Sequence, residues 1–251
     1  MFVDELMAAG EVIAEDGASV KLDASHIITE EGEFLQDLIL RERPRVTLEV
    51  GLAYGISALY ICDALRRVDG TKHIVVDPAQ FSLYRGLGLL NLERAGFKHL
   101  IELHNESSHQ ALPALERAGR RIDFAFIDGW HTFDYCLVDF FYIDRMLKVG
   151  GVVAFDDVNM LPVRKVCRYI AKNRRYEVLT QQRGSLARRV VRRLCHRDPV
   201  RRFIRPEFYE PDCDLGVSCS FTAFRKLGDD VLDLIGDGSN GGRLWTAHEW
   251  F

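Results

Sequence analysis

Short apolar runs alternate along this chain with longer stretches in which apolar residues recur every three or four positions. The run within Arg45 to Ser57 (RVTLEVGLAYGIS) sets Val46, Leu48 and Val50 among β-forming neighbours and stops at Gly51 and Gly55. It is too short for a helix. Helix-forming sequence follows directly, with Leu59, Ile61, Cys62 and Leu65, so the reading is a buried strand, a tight turn and a helix start. The same alternation predicts strands at Lys72–Pro78, Leu100–Leu103, Ile122–Asp128 and Val152–Phe155, then two more at Tyr176–Thr180 and Val217–Phe224. Helices are predicted at Glu30–Leu40 (with Pro44 as breaker), Phe81–Ala95 (with Gly96 as stop), after His109 as far as Gly119, Phe133–Leu147 (ended by a Gly150-Gly151 turn) and Pro162–Asn173. Residues 1–30 carry a mixed pattern and are placed at the periphery.

Five strands alternating with helices, closed by two more strands, predict a doubly wound α/β fold with a seven-stranded, mostly parallel sheet. The expected organisation is a single domain over residues 1–251, with a helical N-terminal extension at 1–43 and an insertion at about 183–212. Right-handed crossovers bring the C-terminal ends of the parallel strands to one rim. Glu49, Asp77, Ser108, Asp128, Asp156 and Asp157 all fall at such ends.

Composition changes this picture little: 47% hydrophobic residues support a substantial core, and a net charge of −4 predicts no polyanion partner. The distribution of charge matters more, because residues 183–205 hold nine arginines and one aspartate, leaving the rest of the chain strongly acidic. In RRVVRRL, Arg188, Arg189, Arg192 and Arg193 fall on one helix face. That face reads as a solvated or subunit-contacting surface, a lid for an anionic group, or a nucleic-acid contact. Six cysteines without a C-x-x-C pair, an acidic N-terminus without a signal-peptide pattern, and no long apolar stretch lead to the expectation of a reduced, cytoplasmic protein with no membrane partner. The Gly236–Gly242 stretch lacks the lysine of a phosphate loop and reads as a turn.

The chemistry concentrates at the predicted rim. Glu-x-Gly-x-x-x-Gly departs from the dinucleotide fingerprint, and an acid at the strand end suits a cationic ligand group where pyrophosphate would be repelled. Asp77, about twenty residues after the glycine turn, can accept ribose hydroxyls. Ser108 is a helix N-cap or a ligand contact; Trp130 covers a ring or fills core. One crossover brings Asp128 together with Asp156 and Asp157, and three carboxylates in one place call for a divalent cation such as Mg²⁺. His131 stands three positions after Asp128 and can act as a base near neutral pH.

Taken together, EGEFLQDLI, LEVGLAYGIS, VVDP, FIDGWH and LKVGGVVAFDDV resemble the class I S-adenosylmethionine-dependent methyltransferases, in particular the metal-dependent O-methyltransferases of the catechol/caffeoyl-CoA and macrolide-sugar types, over roughly residues 29–160. The resemblance implies a Rossmann-like methyltransferase fold and S-adenosyl-L-methionine as cofactor. It implies cofactor contacts at Glu49, Gly51, Tyr54, Gly55 and Ser57, at Asp77, at Ser108 and His109, and at Asp128 and Trp130. It also implies Mg²⁺ on Asp128, Asp156 and Asp157, with His131 as catalytic base. His131 replaces the lysine of the catechol type and Asp157 its asparagine, which favours a sugar or natural-product hydroxyl as acceptor. A cofactor-binding protein without transferase activity, or an RNA methyltransferase using the arginine-rich insertion, are the alternatives. A homo-oligomer is compatible with the sequence.

Overall fold

The computed structural model describes residues 1–23, 25–179, 212–217 and 220–229. The arginine-rich stretch and the glycine-rich loop of the sequence reading lie outside them. The elements run α1 (Phe2–Ala9), β1 (Glu11–Ile13), β2 (Ser19–Lys21), α2 (Thr29–Glu42), β3 (Val46–Val50), α3 (Ile56–Arg67), β4 (Lys72–Val76), α4 (Leu87–Arg94), β5 (Ile101–His104), α5 (Ser108–Arg117), β6 (Ile122–Ile127), α6 (Phe133–Met146), β7 (Leu147–Phe155), α7 (Leu161–Asn173), β8 (Tyr176–Val178), a short helix α8 (Asp212–Leu215) and β9 (Thr222–Lys226). β1 and β2 form a separate hairpin, and the other seven strands form one sheet in the order β5-β4-β3-β6-β7-β9-β8. β9 runs antiparallel to both its neighbours; the β3, β4, β5, β6 and β7 pairings are all parallel. The expected seven-stranded, doubly wound sheet is present.

Alternation along the strands splits the core into two layers. Leu48, Val50, Ile74, Val76, Ala125 and Ile127 join the layer that contains α5, α6 and α7 residues. Val75, Phe124 and Phe126 join the opposite layer with α1, α2 and α3. Burying both faces explains why the central strands read as nearly continuous apolar runs, and the few polar residues inside them are paired. Thr47 Oγ1 lies 2.8 Å from His73 Nδ1, and His73 Nε2 lies 3.0 Å from Glu49 Oε2, all three fully buried.

Several details differ from the sequence reading, among them the strand expected at Val217–Phe224, which runs Thr222–Lys226 because a short helix, Asp212–Leu215, stands just before Val217. Residues 1–30 are not peripheral: Val3, Leu6, Val12 and Ile27 are buried in the main core, and a hairpin stands between the two N-terminal helices. Helix α4 starts at Leu87, not Phe81, because residues 78–86 close a series of turns ending at Gly86 (φ 74°). Gly150-Gly151 does not end a helix; β7 begins at Leu147 directly after α6, and the two glycines sit within it where its register against β6 shifts. A bulge of this kind needs the left-handed backbone that Gly150 adopts at φ 87°.

At the far edge of the sheet, Asp144 of α6 gathers two cations. Lys226, 3% exposed, donates to the carbonyls of Asp144 (2.7 Å) and Leu147 (3.2 Å) and lies 3.3 Å from Asp144 Oδ1. Arg174 pairs with Asp144 Oδ2, and the Tyr176 hydroxyl donates to Oδ1 at 2.5 Å. Burial and this anion together hold the Tyr176 phenol well above its ordinary pKa. Asp144→Ala would remove one of the two carboxylates beside the buried Lys226, leaving Asp229 at 2.8 Å, together with the partner of Arg174 and of the Tyr176 hydroxyl, and should cost about 2–4 kcal/mol of unfolding free energy in urea titrations. A loss below about 1 kcal/mol would show that water reaches this cluster.

Candidate functional site

The turn after β3 and the ends of β4, β6 and β7 surround one cavity of about 490 Å³. At one end lie Gly51, Leu52, Ala53, Ser57, Asp77 and Ser108; at the other lie Asp128, His131, Asp156 and Asp157. Gly51 is required by its surroundings. Its φ is 95°, and a Cβ there would stand 2.1 Å from the carbonyl oxygen of Asp128. The first crossing strand and the loop after β6 therefore touch backbone to backbone, joining the two ends of the cavity.

Asp77 is buried, and its carboxylate is committed to the turn. Oδ2 accepts the backbone N–H groups of Leu52 and Ala53, both at 3.0 Å, and Oδ1 accepts that of Ala79 at 2.7 Å. Gln80 reinforces the same loop, donating to the Ala53 carbonyl (2.9 Å) and accepting the Leu89 N–H (3.2 Å). Asp77 thus shapes the turn first and faces the cavity with its remaining acceptor capacity.

Beyond the glycine turn the acids meet. His131 Nε2 lies 3.2 Å from Asp128 Oδ1 and 3.4 Å from Asp157 Oδ2. One donor atom from each of these three residues falls within 4.8 Å of the others, so together they could hold a metal ion. Burial raises the pKa of Asp128 and of Asp156, and the neighbouring carboxylates push in the same direction. The hydrogen bond to Asp128 raises that of His131. Asp157 reaches the cluster from a left-handed backbone (φ 52°), which Asp tolerates better than most side chains. Asp156 lines the same end of the cavity: it feels first the charge of Asp128 and then that of Glu31 from α2, and it accepts the Asp157 N–H. Glu31 itself accepts the Ser220 hydroxyl at 2.9 Å, so an N-terminal helix and the segment before β9 close this end.

Several residues expected at the cofactor do not line the cavity. Glu49 lies beneath it, paired with His73, with Oε1 buried and unpartnered. Tyr54 points away, its hydroxyl donating to Asp23 (3.3 Å) and its ring edge-on to Tyr84. Gly55 caps α3 and provides room for α4, since a Cβ there would meet the Gly88 carbonyl at 2.9 Å. His109 packs edge-on against Tyr135. In each case an adjacent residue lines the cavity instead: Val50, Ala53, Ile56 and Ser108 respectively. Trp130 is on the wall and 64% exposed, so it is not core filling. Ser108 is on the wall and buried; the cap position belongs to Ser107.

Asp139 was not singled out by the sequence reading. It lies in α6 beneath Ser108 and Gly129, bonded to the Ser108 side chain, with Oδ1 buried and unpartnered. Its signal was present: an acid at helical spacing with the buried Cys136, Phe140 and Ile143.

Residues 48–158 match the family described as a methyltransferase domain. A caffeoyl-CoA O-methyltransferase from Mesembryanthemum crystallinum is 27% identical over 156 residues, covering 56% of this chain and 58% of that protein. The chain spans only 56–60% of the length of the curated relatives it matches. An O-methyltransferase from Bacillus cereus solved in complex with SAH shares the fold, with a TM-score of 0.58 at 20% identity over 73% of this chain and 85% of that one. So does TomG of Streptomyces achromogenes, an O-methyltransferase involved in tomaymycin synthesis solved with SAM, with a TM-score of 0.59 at 20% identity over 82% and 84%.

Burial pushes the Asp139 carboxyl up to about 6. A carboxyl raised in the fold binds more protons than in the unfolded chain, so it favours folding at low pH and loses that advantage as pH rises from about 4 to 6. The stability of the wild type relative to Asp139→Asn should therefore fall over that range and level off above about pH 7 in parallel urea titrations. A difference constant with pH would mean that Asp139 is ionised at no unusual cost.

Proposed function

We propose, for a chain whose residues 48–158 match the methyltransferase-domain family, that the whole is an S-adenosylmethionine-dependent O-methyltransferase acting with a divalent cation on a hydroxyl of a small molecule of sugar or natural-product type. The observation that carries this reading is the single cavity joining the Gly51–Ala53 turn and Asp77 to the Asp128–His131–Asp157 cluster. S-adenosylmethionine would supply a methyl group on a positively charged sulfur, and a divalent ion on the carboxylates, Mg²⁺ in the first instance, would make an acceptor hydroxyl more acidic.

The chain's own groups account for the rest. The bare Gly51 backbone and the polar wall at Ser57, Asp77 and Ser108 hold the nucleoside end. The acids at the other end favour a cationic sulfur close to the acceptor, and Val50, Leu52 and Val76 give the cavity an apolar wall. His131, raised in basicity by Asp128, takes the hydroxyl proton. Trp130 and Ile28, both exposed on the wall, offer an apolar edge against which an acceptor can lie. A cytoplasmic location accords with the sequence, and among the described residues no helix is long and apolar enough to cross a membrane.

The test is calorimetry with S-adenosylhomocysteine, followed by methyl-transfer assays against polyhydroxylated acceptors with Mg²⁺ or with EDTA. We expect binding without metal, turnover only with metal, and a drop in kcat of about 10²–10⁴ for His131→Ala with the S-adenosylhomocysteine affinity nearly unchanged. Absence of S-adenosylhomocysteine binding would remove the reading altogether; turnover undiminished in EDTA would remove the metal from it.

A further inference from the structure

We infer that Asp139 is a positioning residue for the nucleoside end of the cavity: it keeps the Ser108 hydroxyl hydrogen turned away from the cavity, so that Ser108 shows a ligand only lone pairs and selects a base that brings an N–H to that point. This rests on the S-adenosyl reading above and specifies how the site tells one nucleobase from another.

The two side chains come from neighbouring helices. Ser108 is the first residue of α5, and Asp139 lies midway along α6. The cap position of α5 belongs to Ser107, which leaves the Ser108 hydroxyl for other work. Ser108 is buried yet lines the cavity. Asp139, 1% exposed, does not line it. Its carboxylate also lies beneath the loop after β6: a Cβ at Gly129 would stand 3.9 Å from Asp139 Oδ2 and 2.9 Å from Val50 Cγ1. Asp139 therefore acts on a ligand through Ser108.

The hydrogen-bond count then sets the direction of that action. Asp144, further along the same helix, gathers two cations. Asp139 has none among the described residues: its Oδ1 is unpartnered, and the Ser108 side chain is the one that hydrogen-bonds to this carboxyl. A carboxylate only accepts, whereas a hydroxyl has one hydrogen to give and lone pairs to offer. A buried anion with a single donor holds that donor firmly, because releasing it leaves the charge without solvation. The Ser108 hydrogen is committed inward, and acceptor capacity is what faces the cavity. The amino group of an adenine ring matches that surface. A carbonyl in the same place brings acceptor against acceptor and is rejected.

The probes are S-adenosylhomocysteine and S-inosylhomocysteine, whose base carries a carbonyl oxygen in place of the amino group. Each is titrated calorimetrically into the full chain at about pH 8, above the value of about 6 to which burial raises the Asp139 carboxyl. The wild type should bind the adenosyl compound about tenfold or more tightly than the inosyl one. In Asp139→Asn the amide can donate to Ser108 and turn its hydrogen to the cavity; in Asp139→Leu that hydrogen is free. Both variants should narrow the preference by about tenfold, or reverse it. In a Ser108→Ala background neither change at Asp139 should alter the preference further. A residue that merely packs α6 against α5 would weaken both ligands alike, so a preference unchanged in both variants overturns the inference. A shift of the same size without the Ser108 hydroxyl overturns it too. Each ratio compares two ligands on the same folded molecules, so a destabilised variant still decides the point. Failure of the wild type to bind either compound removes the S-adenosyl reading, and the inference with it.

Discussion

Like charges forced together at one rim are the constraint that the rest of this molecule accommodates. Parallel strands all end on the same side, so acids placed at the ends of β4, β6 and β7 have to share a small volume. Each is handled differently. Asp77 is neutralised in effect by three backbone N–H groups of the adjoining turns. Asp128 and Asp157 face an imidazole. Asp156 is held close to its protonated form by burial and by its neighbours. A site that is costly in this way persists only where something positive repays the cost on binding, which ties the electrostatics of the rim to the chemistry proposed for it.

Much of this was legible in the sequence, because the signals were local. A run such as VTLEV followed by glycines allows few conformations, and five such runs separated by amphipathic stretches dictate a doubly wound sheet. The meeting of Asp128 with Asp157 followed from one right-handed crossover. The misplaced readings share a different cause. Glu49, Tyr54, Gly55 and His109 lie one or two residues from positions that do line the cavity, and in a tight turn that offset reverses the direction of a side chain. Strand alternation aims Glu49 at His73, in the layer opposite to that of Leu48 and Val50. Glu31 was missed for the opposite reason: its importance depends on a partner far away in sequence, Ser220, which no local pattern reveals.

The two polar ends of the cavity are joined mechanically as well as spatially. Gly51 lies so close to the carbonyl of Asp128 that no side chain fits between the two loops. Asp77 and Gln80 fix the same turn from the other side. The distance between the glycine turn and the acid cluster is thus set by backbone contacts, which vary less than long side chains do, and the proposed transfer between two bound partners would draw on that rigidity.

The position of β9 has a consequence for how the chain is made. It inserts between β7 and β8, antiparallel to both, although it is the last strand in the described sequence. While the ribosome has yet to release residues 222–226, β7 keeps an open edge of unpaired peptide groups and β8 has no strand beside it. The nascent protein therefore carries a sticky border of the kind that invites pairing with other chains, and it loses that border only when β9 slides into the gap.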